Sequence, residues 1–257
     1  MHNRVTSLGF GTDSYISGAY ITNVGQEIGQ FYGWAYEGIA RTQEDLDNHA
    51  TQEGAQIGDC LYKDISGPDG KPDGKVDAND QVVLGSGMPK IHFGLNARFE
   101  YKRFDLSIAT FGALNYHVSD DIYNSLNSCY GWGNKEVGML DANRFSEDGS
   151  TYLSNVPRTY VTNSASLGWN DLFSSRKIQN AAYWKIANVE LGYNFPNEWF
   201  GKYVSDVRFY VSAQNLHTFT GYHGYNVDYA GGTFTPGYNF CSYPTARTFM
   251  CGVHFTF

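Results

Sequence analysis

Charge is scarce in this sequence: only 17% of the 257 residues are Asp, Glu, Lys or Arg, and the 18 basic residues form no patch. The formal net charge is −8. Neutralising phosphates requires a basic face, so nucleic acid is excluded as a partner. Long apolar runs are missing as well. No stretch approaches the roughly 20 apolar residues of a membrane-spanning helix, and the opening "MHNRVTSLGF" lacks the apolar centre of a signal peptide. A helical membrane protein is excluded; a barrel is not. The four cysteines, Cys60, Cys129, Cys241 and Cys251, form no CxxC pair, which removes zinc and thiol-redox motifs. Cys251 reads as a small apolar packing residue, whereas Cys60, Cys129 and Cys241 could be bridged in an oxidising compartment. There is no GxSxG motif and no P-loop. Glycoside hydrolysis needs two carboxyls about 5–10 Å apart in a cleft, and no such pair is marked. His217 and His223 flank "TFTGY" without a third metal ligand. No enzymatic activity is expected.

What the chain does have is rings. With 42% hydrophobic residues, 20 Tyr and 17 Phe, it can order a large apolar surface, and the rings fall in alternating runs. In the closing "ARTFMCGVHFTF", Phe249, Cys251, Val253, Phe255 and Phe257 lie on one side and Thr248, Met250, Gly252, His254 and Thr256 on the other. That is the period of a β-strand. "IHFGLNARFEY" sets Ile91, Phe93, Leu95, Ala97, Phe99 and Tyr101 on one face, and "FDLSIATFG" sets Phe104, Leu106 and Ile108 on one face. Only "KR" separates them, which predicts a tight hairpin. "YWKIANVELGYNF" puts Ala187, Val189, Leu191 and Tyr193 together, and "VRFYVSAQN" puts Val207, Phe209, Val211 and Ala213 together. Near the start, "YISGAYITN" and "IGQFYGWAYEG" make a Gly-diluted pair around "VGQE". About seven strands are predicted.

Their connections alternate in length. Residues 24–27, 101–103 and 196–204 are short, whereas 39–90, 115–182 and 216–245 are long and fall by strand order at the opposite end of the sheet. Outer-membrane barrels have this asymmetry, with an apolar outward face and a polar lumen. A soluble antiparallel sandwich shows the same alternation, but its strands do not require one tight rim and one elaborate rim. The last strand also ends flush on Phe257, as a strand that closes a barrel can. The fold expected is all-β, an antiparallel transmembrane barrel segment with its apolar sides pointing outward and long outer loops.

Two candidate sites lie in those loops. In "GDCLYKDISGPDGKPDGKVDANDQVVLGSGMPK", Asp64, Asp69, Asp73, Asp77 and Asp80 crowd 17 residues, and a hard cation such as Ca2+ would relieve their repulsion. Read as an EF-hand-like loop, Asp69, Asp73, Gly74, Asp77 and Asp80 take positions one, five, six, nine and twelve, but Lys71 stands at position three. Placing Asp64 and Ser66 at positions one and three requires an insertion before Asp73. The same spacing fits Asp-Gly and Pro-Asp turns on a solvated loop, and both readings remain open here. The second candidate is "GYHGYNVDYAGGTFTPGYNFCSYP", whose Tyr222, Tyr225, Tyr229, Tyr238 and Tyr243 could stack on sugars or pack the loop on itself.

The blocks "GDCLYKDISGPDGKPDGKVDANDQVVLG", "PKIHFGLNARFEYKRFDLSIATFG", "WKIANVELGYNFP", "VRFYVSAQNLHTFTGYHGYN" and "YPTARTFMCGVHFTF", in this order, resemble the C-terminal part of a SusC-like or RagA-like TonB-dependent outer-membrane transporter. They cover most of 58–112 and 184–257, while 115–182 matches loosely. The resemblance implies a barrel of about 22 strands around an N-terminal plug, in the outer membrane of a Gram-negative bacterium. It implies import of oligosaccharides or peptides, energy from a TonB complex, and a SusD-like surface lipoprotein as partner. Nothing in 1–257 resembles the plug or the TonB-contacting segment, so the chain is expected to supply the C-terminal strands and outer loops and to need the N-terminal part of the same transporter. Phe255 and Phe257 would belong to the C-terminal assembly signal. Residues 246–257 are expected to ladder with 204–215 on one side only. The alternative function is a surface glycan-binding β-protein without transport.

Overall fold

The computed structural model describes residues 3–128, 134–137, 156–158, 168–200, 204–228, 231–240 and 242–257. Its strands are β1 (Ser14–Ser17), β2 (Tyr20–Asn23), β3 (Gln30–Trp34), β4 (Tyr36–Ile39), β5 (Cys60–Tyr62), β6 (Gln81–Ser86) and β7 (Ile91–Tyr101). They continue as β8 (Phe104–Leu114), β9 (His117–Asp120), β10 (Gln179–Asn180), β11 (Tyr183–Asn194), β12 (Asp206–Thr220), β13 (Tyr238–Asn239) and β14 (Thr248–Thr256), and two short helices, α1 (Gln43–Asn48) and α2 (Asp121–Leu126), sit between them.

Five long strands form one antiparallel sheet in the order β14-β12-β11-β8-β7. They run 9, 15, 12, 11 and 11 residues, enough for a tilted strand to cross a bilayer core, which takes about 9–11. Lys102 and Arg103 make the β7–β8 turn, with Tyr101 opposite Phe104 and Lys102 at φ 56°. β14 ladders with β12 from Thr248 opposite Gln214 to Thr256 opposite Asp206, the partner expected, and has no second neighbour among the described strands.

Register decides which side chains share a face. Phe99 opposes Leu106, Leu106 opposes Leu191, Leu191 opposes Val211, and Val211 opposes Cys251. This row and its neighbours form an apolar surface across all five strands, and on the central strands it is the exposed side: Phe104 is 52% exposed, Leu191 49% and Val211 45%, whereas Asp105 and Ser212 on the other side are buried. Phe257 extends the same side at 88%. A soluble monomer rarely exposes a contiguous apolar patch beyond a few hundred Å². Rings concentrate at its two ends. Near the tight rim, Phe104 lies 4.7 Å from Tyr193, which lies 5.1 Å from Phe195; near the loop rim, Trp184 stacks on Phe219 at 5.3 Å. The band between them is mainly aliphatic, with Phe99 and Phe249 on the edge strands. Eight or so strand steps of roughly 3.3 Å at a tilt of about 40° separate the belts by on the order of 20 Å, close to the apolar band of an outer-membrane barrel.

The strict alternation expected for β11 breaks at Ala187. Asn188 opposes Ala109 and Ile186 opposes Thr110, so one extra residue bulges out of β11 against β8. A one-residue slip moves every following side chain to the other face. Trp184 and Ile186 therefore join the outer face, and Lys185, which unbroken alternation would place there, turns inward. Its ammonium is buried, 2.6 Å from Asp228 and 5.8 Å from the centre of the Phe111 ring.

Five of the seven expected strands thus build this sheet. "YISGAYITN" is instead a hairpin of β1 and β2 turning at Gly18 and Ala19, and with β3 and β6 it forms a separate four-stranded sheet. The reason is polarity. β6 leads into β7 at Ile91, which opposes Leu114 at the rim away from the Lys102 turn, so the chain before 90 lies on the side of the long loops. The turn at 24–27 therefore does not belong to the tight rim. The segment 39–90 carries α1, β5 and β6 rather than one continuous loop.

The two clusters of buried apolar side chains found among the described residues also lie on that side. One joins Tyr116, Val118, Tyr183, Tyr222 and Val227; the other is built on Cys60, Tyr62 and Val76, with Trp34, Trp169 and Leu172 packed against it.

Inserting one alanine between Lys185 and Ile186 should reverse the phase of the strand on the loop side of the bulge and carry Lys185 to the outer face. At this depth near the rim the lysine itself costs on the order of 1 kcal/mol, and Asp228 also loses its partner. We expect lower yield of heat-modifiable, membrane-assembled protein for the insertion, and partial recovery when Lys185→Leu is added. Equal assembly of insertion and parent would show that the residue count does not set the phase of β11.

Candidate functional site

The inner side of the five-stranded sheet carries a charged network. Arg208 of β12 reaches across β11 to Asp105 of β8: its Nε donates to Oδ1 at 3.0 Å and its Nη2 to Oδ2 at 2.5 Å. Nη2 also donates to Glu190 at 2.7 Å, and the guanidinium lies 5.6 Å from the centre of the Tyr210 ring. The strand between them must leave room. A Cβ at Gly192 would stand 2.4 Å from Nη2 of Arg208 and 2.5 Å from Oδ1 of Asp105, so a side chain there would break the triad. Arg98 and Glu100 add an exposed pair at 2.8 Å.

Above the sheet, polar networks tie the loop layer together. Asp59, fully buried, takes a bidentate pair from Arg158 at 2.6 and 3.0 Å. Asn170 links that pair to β5: its Nδ2 donates to Asp59 at 2.8 Å, and its Oδ1 accepts from the Cys60 amide at 2.7 Å. Buried charge is tolerable here because every group in the network has a partner. These residues carried no recognisable spacing, since Asp59 and Arg158 are 99 positions apart.

The Asp-rich loop is a folded turn system. Asp80 is buried and accepts from the amides of Ile65 at 2.6 Å, Ser66 at 2.9 Å and Asp77 at 2.7 Å. Asp64 accepts from Gly74 at 2.7 Å and Asp73 at 3.3 Å, Asp73 accepts from Lys75 at 3.0 Å, and Asp77 caps a 3-10 turn through Asn79 at 2.7 Å. Among the described residues no three His, Cys, Asp or Glu side chains gather into a group that could hold a metal ion. The five carboxylates do not form one group in this geometry, and backbone N–H groups bond Asp64, Asp73, Asp77 and Asp80. Burial pushes the Asp80 carboxyl up, but the amides of Ser66, Asp77 and Ile65 outweigh it and hold the group below the usual carboxylate range.

The tyrosines expected to line one sugar platform have different surroundings. Tyr222 is buried, with its hydroxyl donating to Asp120 and accepting from Asn239 Nδ2 at 2.8 Å. Asp120 also caps α2 through the Tyr123 amide at 3.0 Å. Burial first, and then Asp120, push the Tyr222 phenol well above its ordinary value, so it remains a neutral donor that ties Tyr222 to Asp120 at the end of β9. Tyr222 is thus a structural residue and not a stacking surface. Tyr225, Tyr238 and Tyr243 are exposed. Tyr229 lies outside the described residues, as do Cys129 and Cys241; Cys60 is a buried thiol in the β5 cluster.

One feature of the loop layer was not visible in the sequence. Trp34 at the end of β3 and Trp169 beside Asn170 line an open cleft of about 610 Å³, together with Glu53, Gln56 and Asp77. The two tryptophans are 135 positions apart, and only the pairing of 168–174 with β3 and β5 brings them together.

No protein-family model matches the chain. It is 29% identical to TonB-dependent receptor P3 of Formosa agariphila over 99% of its own length, covering 26% of that protein. It is 24% identical to TonB-dependent receptor SusC of Bacteroides thetaiotaomicron over 100% of its length, covering 23% of it. Among solved structures it superposes on a chain of the RagAB peptide transporter with TM-score 0.74 at 20% identity, and on one of the RagAB peptide importer in its closed-closed state with TM-score 0.75 at 22% identity. These cover 98% and 99% of this chain and 25% and 26% of theirs. The chain therefore shares the fold of a segment of those structures and spans about a quarter of the length of the curated relatives it matches. None of these relatives is named for an enzymatic activity.

Two outcomes are expected from these networks. Arg208→Met strands Asp105 and Glu190 and should destabilise the assembled protein by on the order of 3 kcal/mol, read as a lower urea midpoint in detergent. Asp105→Asn in the same chain should recover part of the loss, and additive effects would show that the two do not interact. Asp80, whose carboxyl is held low in the folded state, contributes stability above the unfolded carboxylate pKa near 4 and loses it as pH falls through its lower folded value. Asp80→Asn should open the 64–80 loop to limited proteolysis at neutral pH, with the parent approaching the variant only in acid. A parent loop equally protected at every pH would refute this.

Proposed function

We propose, from its homology to SusC-like TonB-dependent receptors, that this chain builds part of the wall and outer loops of an outer-membrane barrel that imports a nutrient, an oligosaccharide or a peptide. The observation that carries the reading is the inside-out sheet. Five strands of bilayer-crossing length turn their apolar side outward between two aromatic belts, while ion pairs line the other side and the long connections gather at one rim. Only a lipid surround makes that arrangement favourable. In this reading the strands before β7 in barrel order, the plug and the TonB contact come from the N-terminal part of the same transporter. A SusD-like surface lipoprotein covers the loop layer, whose exposed Tyr225, Tyr238 and Tyr243 face arriving substrate.

The test is a disruption of the gene in its native bacterium, with uptake of labelled neutral oligosaccharides and peptides measured before and after collapse of the proton-motive force. Loss of uptake of one substrate class, restored by the full-length gene and abolished by the protonophore, is the expected result. Unchanged uptake of every substrate, with the sugar still bound at the cell surface, would favour a surface glycan-binding protein without transport.

A further inference from the structure

We infer that the cleft between Trp34 and Trp169 is a binding site for a neutral glycan chain on the outer loop layer. Both indoles are held rigidly by their own N–H groups: Trp34 Nε1 donates to the Asp77 carbonyl at 3.0 Å and Trp169 Nε1 to the Glu53 carbonyl at 2.9 Å. Neither N–H is left for a ligand, so the rings offer it only apolar faces. Their backs are fixed as well. Trp169 packs 6.2 Å from Tyr62, and the Trp34 amide donates to the Phe173 carbonyl at 3.1 Å. Gly33 permits that approach, since a Cβ there would stand 2.1 Å from the Phe173 oxygen.

The rim supplies the complementary chemistry. Glu53, Gln56 and Asp77 are exposed and line the same cleft, and no Lys or Arg is among its described lining residues. Carboxylates accept hydrogen bonds and repel anions. A pyranose matches both features: its C–H face lies on an indole and its hydroxyls donate to the rim. A peptide presents one backbone N–H per residue and calls for an open strand edge. Uronate or sulfated chains would meet like charge. The volume, about 610 Å³, lies within the roughly 300–1,000 Å³ of ordinary ligand sites. The inference narrows the import reading by choosing glycan over peptide, yet the binding itself does not depend on transport.

The experiment uses the full-length protein in detergent. Maltohexaose, cellohexaose and mannohexaose are titrated against hexagalacturonate and a neutral hexapeptide, with tryptophan emission and calorimetry as readouts. Saturable binding of at least one neutral hexaose is expected, with a shift in tryptophan emission. Trp169→Ala should weaken it tenfold or more and Trp169→Phe less. Because Trp169→Ala removes packing as well, Gly168→Arg serves as a second variant: a Cβ there meets nothing within 4 Å, and the added side chain fills the cleft mouth. Binding lost in Gly168→Arg with unchanged heat-modifiability supports the site. Hexaose binding undiminished in both variants, binding of the peptide or hexagalacturonate alone, or no binding of any hexaose at millimolar concentration overturns it. Binding without uptake would sink the import reading and leave the glycan site standing.

Discussion

The rest of the structure depends on the direction in which the five-stranded sheet turns its apolar side. Alternation alone says that a strand has two unlike faces; it does not say which face meets the surroundings. Here the apolar side is the exposed one, and in the reading proposed above hydrocarbon rather than a second sheet covers it, so every strand N–H and C=O has to find its partner within the sheet. β14 and β7 each have one neighbour in the described chain. In hydrocarbon such edges cannot stay unpaired, which is why this arc makes physical sense only as a part of a larger wall.

With the sheet's apolar side left exposed, conventional dry packing shifts into the loop layer. The two buried clusters around Tyr62 and Tyr116 lie there, and so do the polar networks. Asp59 with Arg158 and Asn170, Tyr222 with Asp120 and Asn239, and Lys185 with Asp228 each join segments far apart in sequence. Such buried, fully partnered groups hold one loop arrangement over others. The Trp34–Trp169 cleft inherits its rigidity from the first of them, because Asn170 sits next to Trp169 and bonds both Asp59 and β5. On the inner wall the Arg208 guanidinium bridges Asp105 and Glu190, so each carboxylate has a partner although one cation faces two anions.

Much of the architecture was legible in the sequence. Strands at 91–101, 104–114 and 248–256 followed from period two, the β7–β8 turn from a two-residue gap, and the partner of the last strand from strand order. The failures have physical reasons. Periodicity counts residues and cannot see a bulge, so it put Ala187 in line with Val189, and extending it further would put Lys185 on the wrong face. Glycine in "YISGAYITN" looked like dilution of one strand, whereas it makes a turn. Tyr222 and the Asp-rich loop show the limit of reading function from residue type: ring and carboxylate density were real, but burial made Tyr222 a structural donor and backbone amides engaged the aspartates.

Residue order by itself determined the all-β class, the tight β7–β8 turn and the likeness to a transporter barrel, because these depend on local alternation and composition. The tertiary structure alone decided which face is outside, which charges meet across Gly192, and which two tryptophans share a cleft. Those depend on register and on contacts between segments tens to more than a hundred residues apart, and no local pattern encodes a distance of that kind.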